Sequence, residues 1–383
     1  MIMKKLLTTA CLFVVTTVAI VSFITAPTVF GQEKKTADVN PSLADSVTAR
    51  EVEWFADRAI QPSPRLTGTR VLVRYDMEGM AGQDDWRSAS AWWPKQYAMG
   101  QALLAKDVNA VIAGLFDGGA AFVDVIDQHG SGNPGFNLPQ ELLDRRVGTH
   151  FHRHDSHKVE AIKYDAVVMV AMHAKTGSGG FMAHTNTFGI EQIINDRPVS
   201  EAELGAYSWG ESGIPVIFVS GDDRLRDDLL EVMPWLEYVV TKRAISAQGV
   251  NLRPVDVVRG ELRAGARRAL ARLPEMKPLR ARRPVRAGVR AVPPADLSVL
   301  QHVPGINYAD GKVSFEAATY ADAVRGMNAL RIVAVEMGGR PYVDEIFKRS
   351  SHWSEINRAM ERGFWEAWIA LEADRPRGVR RPR

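Results

Sequence analysis

The 383-residue sequence holds a single cysteine, Cys11. It lies inside an N-terminal apolar segment. The remainder of the chain therefore has no disulfide, no cysteine nucleophile and no thiolate metal site. A strong charge of one sign is also missing. The formal net charge is +3, from 48 basic and 45 acidic residues, too small an excess to argue for a nucleic-acid partner. The basic runs Arg280–Arg290 and Arg375–Arg383 are local and of the kind that stays solvated. No G-x-x-x-x-G-K-[ST] phosphate loop and no convincing dinucleotide fingerprint occurs. Gly205-Ala206-Tyr207-Ser208-Trp209-Gly210 is not the nucleophile elbow of a serine hydrolase.

What is present begins with a targeting segment. Lys4 and Lys5 precede an apolar run from Leu6 to about Ile24, and Val29-Phe30-Gly31 offers small residues ahead of a cut before Gln32. Residues 1–31 read as an export signal or, since the run is long, as an uncleaved N-terminal membrane anchor. Either reading places the chain in the periplasm or outside the cell. Residues 32–69 form a polar arm with a short helical stretch near Ala49–Ala59.

From Arg70 the pattern changes. Val71–Tyr75, Ala121–Ile126, Ala166–Met172 and Pro215–Ser220 are short apolar runs bounded by turn residues, hence buried strands. Tyr97–Leu115, Glu201–Trp209, Arg224–Met233 and Val258–Leu273 have helical spacing. The alternation predicts an α/β fold over residues 70–276, a mainly parallel sheet flanked by helices. A smaller second α/β lobe is expected over 277–337, with strands at Val285–Val292 and Val313–Ala318 and a long helix at Ala321–Met337. Residues 338–383 read as a helical extension with a basic, disordered tail.

Open α/β sheets gather ligands beyond the carboxyl ends of their strands. Asp76 and Glu78 follow the first strand, Asp127 and His129 the second, and His173 the third. Carboxylate and imidazole are the donors that suit zinc when thiolates are absent. Two ions held close together can share one hydroxide nucleophile. Taken singly, an Asp-x-Glu after a strand is as well explained by a turn, and a lone histidine by structural hydrogen bonding. Their coincidence at successive strand ends favours metal.

These same residues carry a family resemblance. Tyr75-Asp76-Met77-Glu78-Gly79-Met80-Ala81-Gly82 resembles the opening motif of the DppA-type D-aminopeptidases, which are dinuclear zinc peptidases. Asp127-Gln128-His129 is similar to their Asp-Ser-His motif. Met172-His173-Ala174, followed by Gly180-Phe181-Met182-Ala183-His184-Thr185, resembles their paired-histidine region, with the two histidines eleven residues apart. Ile194-Asn195-Asp196-Arg197-Pro198-Val199-Ser200-Glu201 and Val219-Ser220-Gly221-Asp222-Asp223-Arg224 complete an ordered set over roughly residues 70–337. The resemblance implies metal ligands at Asp76, Glu78, His129, His173 and Glu201, and a catalytic residue, treated in the family as a nucleophile, at His184. Physically, His184 fits acid–base work or oxyanion stabilisation equally well. Glu203 rivals Glu201, and either serves a helix start. Tyr75 and Gln128 replace smaller residues, a departure that bears on the pocket's shape.

The implied cofactor is Zn2+, two ions per subunit. The implied activity is hydrolysis of short peptides or amides with an N-terminal D-residue, by a homo-oligomer. Two other readings use the same ligands: another metal-dependent amidohydrolase, and a non-catalytic exported metal- or solute-binding protein. A competing cluster, His150 to His157, holds four of the nine histidines. It reads as an exposed polar loop with no strand end to present it.

Overall fold

The computed structural model describes residues 68–187, 189–293, 296–348 and 353–373. The expected targeting segment, the helical stretch expected near Ala49–Ala59 and the basic tail lie outside them. Among the described residues no helix is long and apolar enough to cross a membrane.

The larger sheet is built from β1 (Thr69–Tyr75), β2 (Ala120–Asp127), β3 (His150–Phe151), β4 (Ala166–Met172), β7 (Val216–Asp222), β8 (Glu237–Ala244) and β9 (Val250–Leu252). Their order is β3-β2-β1-β4-β7-β8-β9, and all neighbours are parallel except β8 and β9. Alternation along β1 divides the core. Val71, Val73 and Tyr75 join one apolar cluster and Leu72 joins another, because successive side chains point to opposite faces.

The first face is covered by α1 (Pro94–Asp117) and α5 (Val255–Ala271). Helix α1 opens on Pro94, whose fixed φ suits a first turn. It buries Leu104, Val108, Val111, Ile112 and Leu115, the three- and four-residue spacing of one helical stripe. Gly114 lets it approach α5, since a Cβ there would overlap the Arg263 carbonyl. The opposite face carries α2 (Ser156–Glu160), α3 (Glu201–Glu211) and α4 (Asp223–Val232).

A second sheet is antiparallel, in the order β11-β12-β10-β5-β6. It comprises β5 (Ile190–Ile194), β6 (Arg197–Pro198), β10 (Val285–Ala291), β11 (Asn307–Ala309) and β12 (Lys312–Ala317), and packs against α6 (Tyr320–Lys348). The expected second lobe thus borrows two strands from within residues 70–276. Val289 of β10 faces Gln192 of β5 across the ladder. The compact unit that holds both sheets runs to Gly338. The rest of α6 and helix α7 (Trp353–Ala373) belong to another unit.

The sheet order reverses at β1 and β4. Connections leave β1 towards β2 on one side and return through β4 towards β7 on the other. Such a switch point opens a crevice at the carboxyl ends of the two strands, where Asp76 and His173 emerge.

Candidate metal centre

Local backbone chemistry aims the two carboxylates after β1. The Asp76 N–H donates to Val170 O at 2.9 Å, continuing the ladder one step. The Met77 N–H then donates to both Asp76 Oδ1 (3.0 Å) and Glu78 Oε2 (3.1 Å). One amide therefore draws the two side chains to the same side. The turn leaves by Gly79, whose N–H donates to Ala171 O at 2.8 Å. A Cβ at Gly79 would overlap the Met172 carbonyl, so this crossing demands glycine.

On β4 the register with β7 slips between Met169 and Met172. Ala171 lies in the left-handed region with φ 58°, and its N–H donates to Ser220 Oγ at 3.0 Å. Bulges of this kind re-aim a side chain at strand ends, and this one delivers His173 towards Asp76.

After β2, Asp127 accepts from the His129 N–H at 3.0 Å, the Asn137 N–H at 2.7 Å and the Asn137 side-chain amide. Asp127, which the resemblance does not make a metal ligand, is thus a bracket for the loop that carries His129. Glu201 and Glu203 also separate. Ser200 caps α3, accepting from the Glu203 N–H. Glu201 is then the first helical residue and faces His173. Glu203 is fully buried and pairs with Arg197 instead.

The six expected residues meet. His129 Nδ1 lies 2.7 Å from Asp76 Oδ1 and 3.3 Å from Glu78 Oε1. His173 Nε2 lies 3.6 Å from Asp76 Oδ2 and 3.3 Å from Glu201 Oε1. His184 Nε2 is 3.8 Å from Glu201 Oε1, and its ring stacks on His173 with centroids 4.0 Å apart. Three overlapping donor groups result: Asp76, Glu78 and His129; Asp76, His173 and Glu201; Glu78, His173 and His184. Within each, the donor atoms lie within 4.8 Å of one another. Asp76 belongs to the first two and joins them. Asp76, Glu78, His129 and His173 are buried, whereas Glu201 and His184 keep some exposure.

The donor chemistry fits a cation. Each imidazole commits one nitrogen to a backbone carbonyl: His129 Nε2 to Ala89 O (2.6 Å), His173 Nδ1 to Ala174 O (3.1 Å) and His184 Nδ1 to Met182 O (2.7 Å). That fixes the tautomer and leaves the other nitrogen, a lone pair when the ring is neutral, turned towards the carboxylates. Metal-bound histidines are oriented by the same device. Burial alone would raise the Glu78 carboxyl, but the facing His129 and His173 hold it well below its usual range. Burial alone would lower His129, but Glu78 and Asp76 hold it well above. His173 rises to about 10 against its own burial, through Glu201 and then Glu78 and Asp76. Glu201 falls because His173 and His184 outweigh its burial. The cluster is thus a trap for positive charge, held by ring protons or by a metal that displaces them.

The rival histidines do not form such a trap. Here the sequence reading needs correcting, because His150 does sit on a strand, the short edge strand β3 paired with β2. His150 Nδ1 meets Gln140 Oε1 at 2.9 Å, and its Nε2 meets the Tyr75 hydroxyl at 3.0 Å. The ring stacks on Phe136. His152 caps the following turn. Among the described residues no metal-competent group includes these histidines. Tyr75 therefore braces this loop, and Gln128 accepts from Arg74 at 3.1 Å.

Two cations near the centre went unread in the sequence. Arg74 stands beneath α3, where Gly205 leaves space for its guanidinium, and its charge acts on Glu201 and Asp76. A charged residue within an apolar strand run was the available signal. Lys242, fully buried on β8, donates to Glu78 O at 2.7 Å and to Gln83 Oε1 at 2.6 Å. Burial pushes its ammonium down to about 7.

Comparison with known proteins points the same way. A curated D-aminopeptidase of Bacillus subtilis (strain 168) is 30% identical over 186 residues, which span 48% of this chain and 66% of that relative. A solved structure, the Zn-dependent D-aminopeptidase DppA from Bacillus subtilis, a self-compartmentalizing protease, superposes with a TM-score of 0.62. It is 26% identical and covers 71% of this chain and 98% of its own. The family model described as D-aminopeptidase matches residues 69–329, the stretch that holds both sheets and all six clustered side chains. With that span, that fold and that cluster in agreement, the chain belongs to the D-aminopeptidase family of peptidases.

Proposed function

We propose that this protein is an exported, zinc-dependent aminopeptidase that releases N-terminal D-residues from short peptides or amides, working as a homo-oligomer. One observation carries the reading. Asp76 joins a buried and a largely buried carboxylate–imidazole group, and His184 stands stacked beside them. Asp76, Glu78 and His129 would hold one zinc ion, and Asp76, His173 and Glu201 the other. Bound there, zinc supplies Lewis acidity, which acidifies water and polarises a carbonyl.

The chain's own residues do the rest. His184 keeps its Nδ1–H on Met182 O, so Nε2 accepts a proton from the attacking water and returns it to the departing amine. Glu201, at 3.8 Å, stabilises the imidazolium that forms in between. The Asp127 bracket and the Lys242 contact hold the His129 and Glu78 turns against drift. D-specificity is supported by family membership and by the names of both relatives, and assembly by the self-compartmentalizing DppA alone. Export is supported by the charged and apolar segments of residues 1–31.

A stereochemical panel tests the activity. The metal-loaded protein is expected to hydrolyse D-alanine amide at least about 100-fold faster than L-alanine amide, a difference of roughly 2.7 kcal/mol in transition-state binding. A chelator is expected to abolish both rates. Equal rates on the two enantiomers would refute D-specificity, and chelator-resistant hydrolysis would refute the metal role.

A further inference from the structure

A cavity of about 200 Å³ opens between α3, β5 and α6. Asn186, Gln192, Leu204, Ser208, Met327 and Arg331 are among its lining. It borders the metal centre. The Asn186 N–H donates to Glu201 Oε1 at 2.7 Å, and the Gln192 side-chain amide donates to Thr185 O, next to His184, at 3.0 Å. Leu204 and Ser208 follow Glu201 by three and seven positions on α3, so the cavity runs roughly 10 Å along the helix away from that carboxylate.

Its polar groups are poorly matched to one another. Gln192 is 1% exposed and its Oε1 has no hydrogen-bond partner among the described residues. Arg331 Nε is likewise buried and unpartnered among them, although the Glu201 carboxylate acts on its charge from the metal-centre side. Tyr320 and Ser208 are different: both hydroxyls are satisfied by Leu204 O. A buried acceptor and a guanidinium whose Nε donor is unmet are costly in one cavity unless a ligand meets them. The ligand that would do so carries an N–H donor and, a few ångströms on, an anion. A peptide downstream of its scissile bond has that pattern, an amide N–H followed by the terminal carboxylate. One or two residues extend about 3.5–7 Å, which fits the reach along α3. The cavity is smaller than the roughly 300 Å³ of ordinary ligand pockets, which favours one small residue over a long chain.

We propose that this cavity is the subsite for the C-terminal carboxylate of a di- or tripeptide, with Arg331 as its anchor and Gln192 accepting from the adjoining amide. The proposal rests on the peptidase reading above and adds a preference: free-carboxylate dipeptides over their amidated forms. Arg331 is not a metal donor, but Glu201 feels its charge, so the zinc content of each Arg331 variant is measured beside its kinetics.

The test uses the full-length, metal-loaded protein with a D-alanyl dipeptide and the same dipeptide amidated at its C-terminus. In wild type, KM for the free acid is expected to be lower. Arg331→Met is expected to raise it roughly 10- to 100-fold, the loss of one charge-assisted contact, while the amidated dipeptide changes less than about threefold. Arg331→Lys is expected to recover part of the loss, since it keeps the charge but not the fork. Calorimetric binding of both dipeptides to the zinc-loaded His184→Ala protein gives a second readout that needs no turnover. Equal effects of Arg331→Met on acid and amide, in KM or in binding, would overturn the subsite. Failure of wild type to hydrolyse either dipeptide, with a carboxylate preference still seen in binding, would sink the peptidase reading and leave the subsite standing.

Discussion

Asp76→Ala is expected to empty both halves of the metal centre at once and to lower kcat/KM at least about 1000-fold, several kcal/mol of lost charge stabilisation. The reason is topological. Asp76 Oδ1 reaches His129 and Asp76 Oδ2 faces His173, so one side chain joins the two donor groups. Its removal leaves Glu78 with His129, and His173 with Glu201, as incomplete pairs. Bound zinc, measured by elemental analysis after dialysis, is expected to fall from two ions per chain to below one. His129→Ala removes a donor from one group only and is expected to leave about one ion. If Asp76→Ala kept two ions, the bridging role would be wrong. If both variants lost metal equally, the centre would bind as a single indivisible unit.

His184→Ala is expected to separate chemistry from metal binding. General acid–base assistance contributes typically about 100- to 10,000-fold, and kcat is expected to fall within that range. Metal content is expected to stay at two ions, because Asp76, Glu78, His129, His173 and Glu201 remain. KM is expected to change little. The stacking of His184 on His173 makes the comparison demanding, since the ring also lies in a donor group with Glu78 and His173. Loss of an ion in His184→Ala would make it a ligand. An acyl group trapped on its imidazole during single-turnover quenching would make it a nucleophile in place of the acid–base role.

Much of the site was legible in the sequence for a reason specific to this architecture. In a mainly parallel sheet the strands are buried on both faces and read as unbroken apolar runs, as Ala166–Met172 does. Polar residues after such runs fall at one edge of the sheet, so the sequence alone places Asp76, His129 and His173 together. Glu201 was harder. It and Glu203 differ by two positions on a helix, which turns them to different faces. Pairing of Glu203 with Arg197 across the β6–α3 connection decides the matter, and that pairing is a tertiary fact.

The second sheet shows where a local reading stops. Ile190–Ile194 alternates too weakly to announce a strand, and its partner β10 lies about a hundred residues on. Strand β8 was missed because Lys242 and Arg243 interrupt its apolar pattern. The lysine belongs there only because Glu78 O and Gln83 accept its protons. Arg331 and Gln192 gave no signal for the same reason. Their proposed role rests on Gln192 Oε1 and Arg331 Nε being buried without a hydrogen-bond partner among the described residues, which a sequence does not display.

The central claim is that Asp76, Glu78, His129, His173 and Glu201 enclose two cations around one shared carboxylate. An anomalous difference map at the zinc edge, from crystals of the full-length zinc-loaded protein, tests it most directly. The account predicts two peaks about 3.5–4 Å apart, one against His129 and one against His173, with Asp76 touching both. A single peak, or density beside His150–His157 instead, would contradict it.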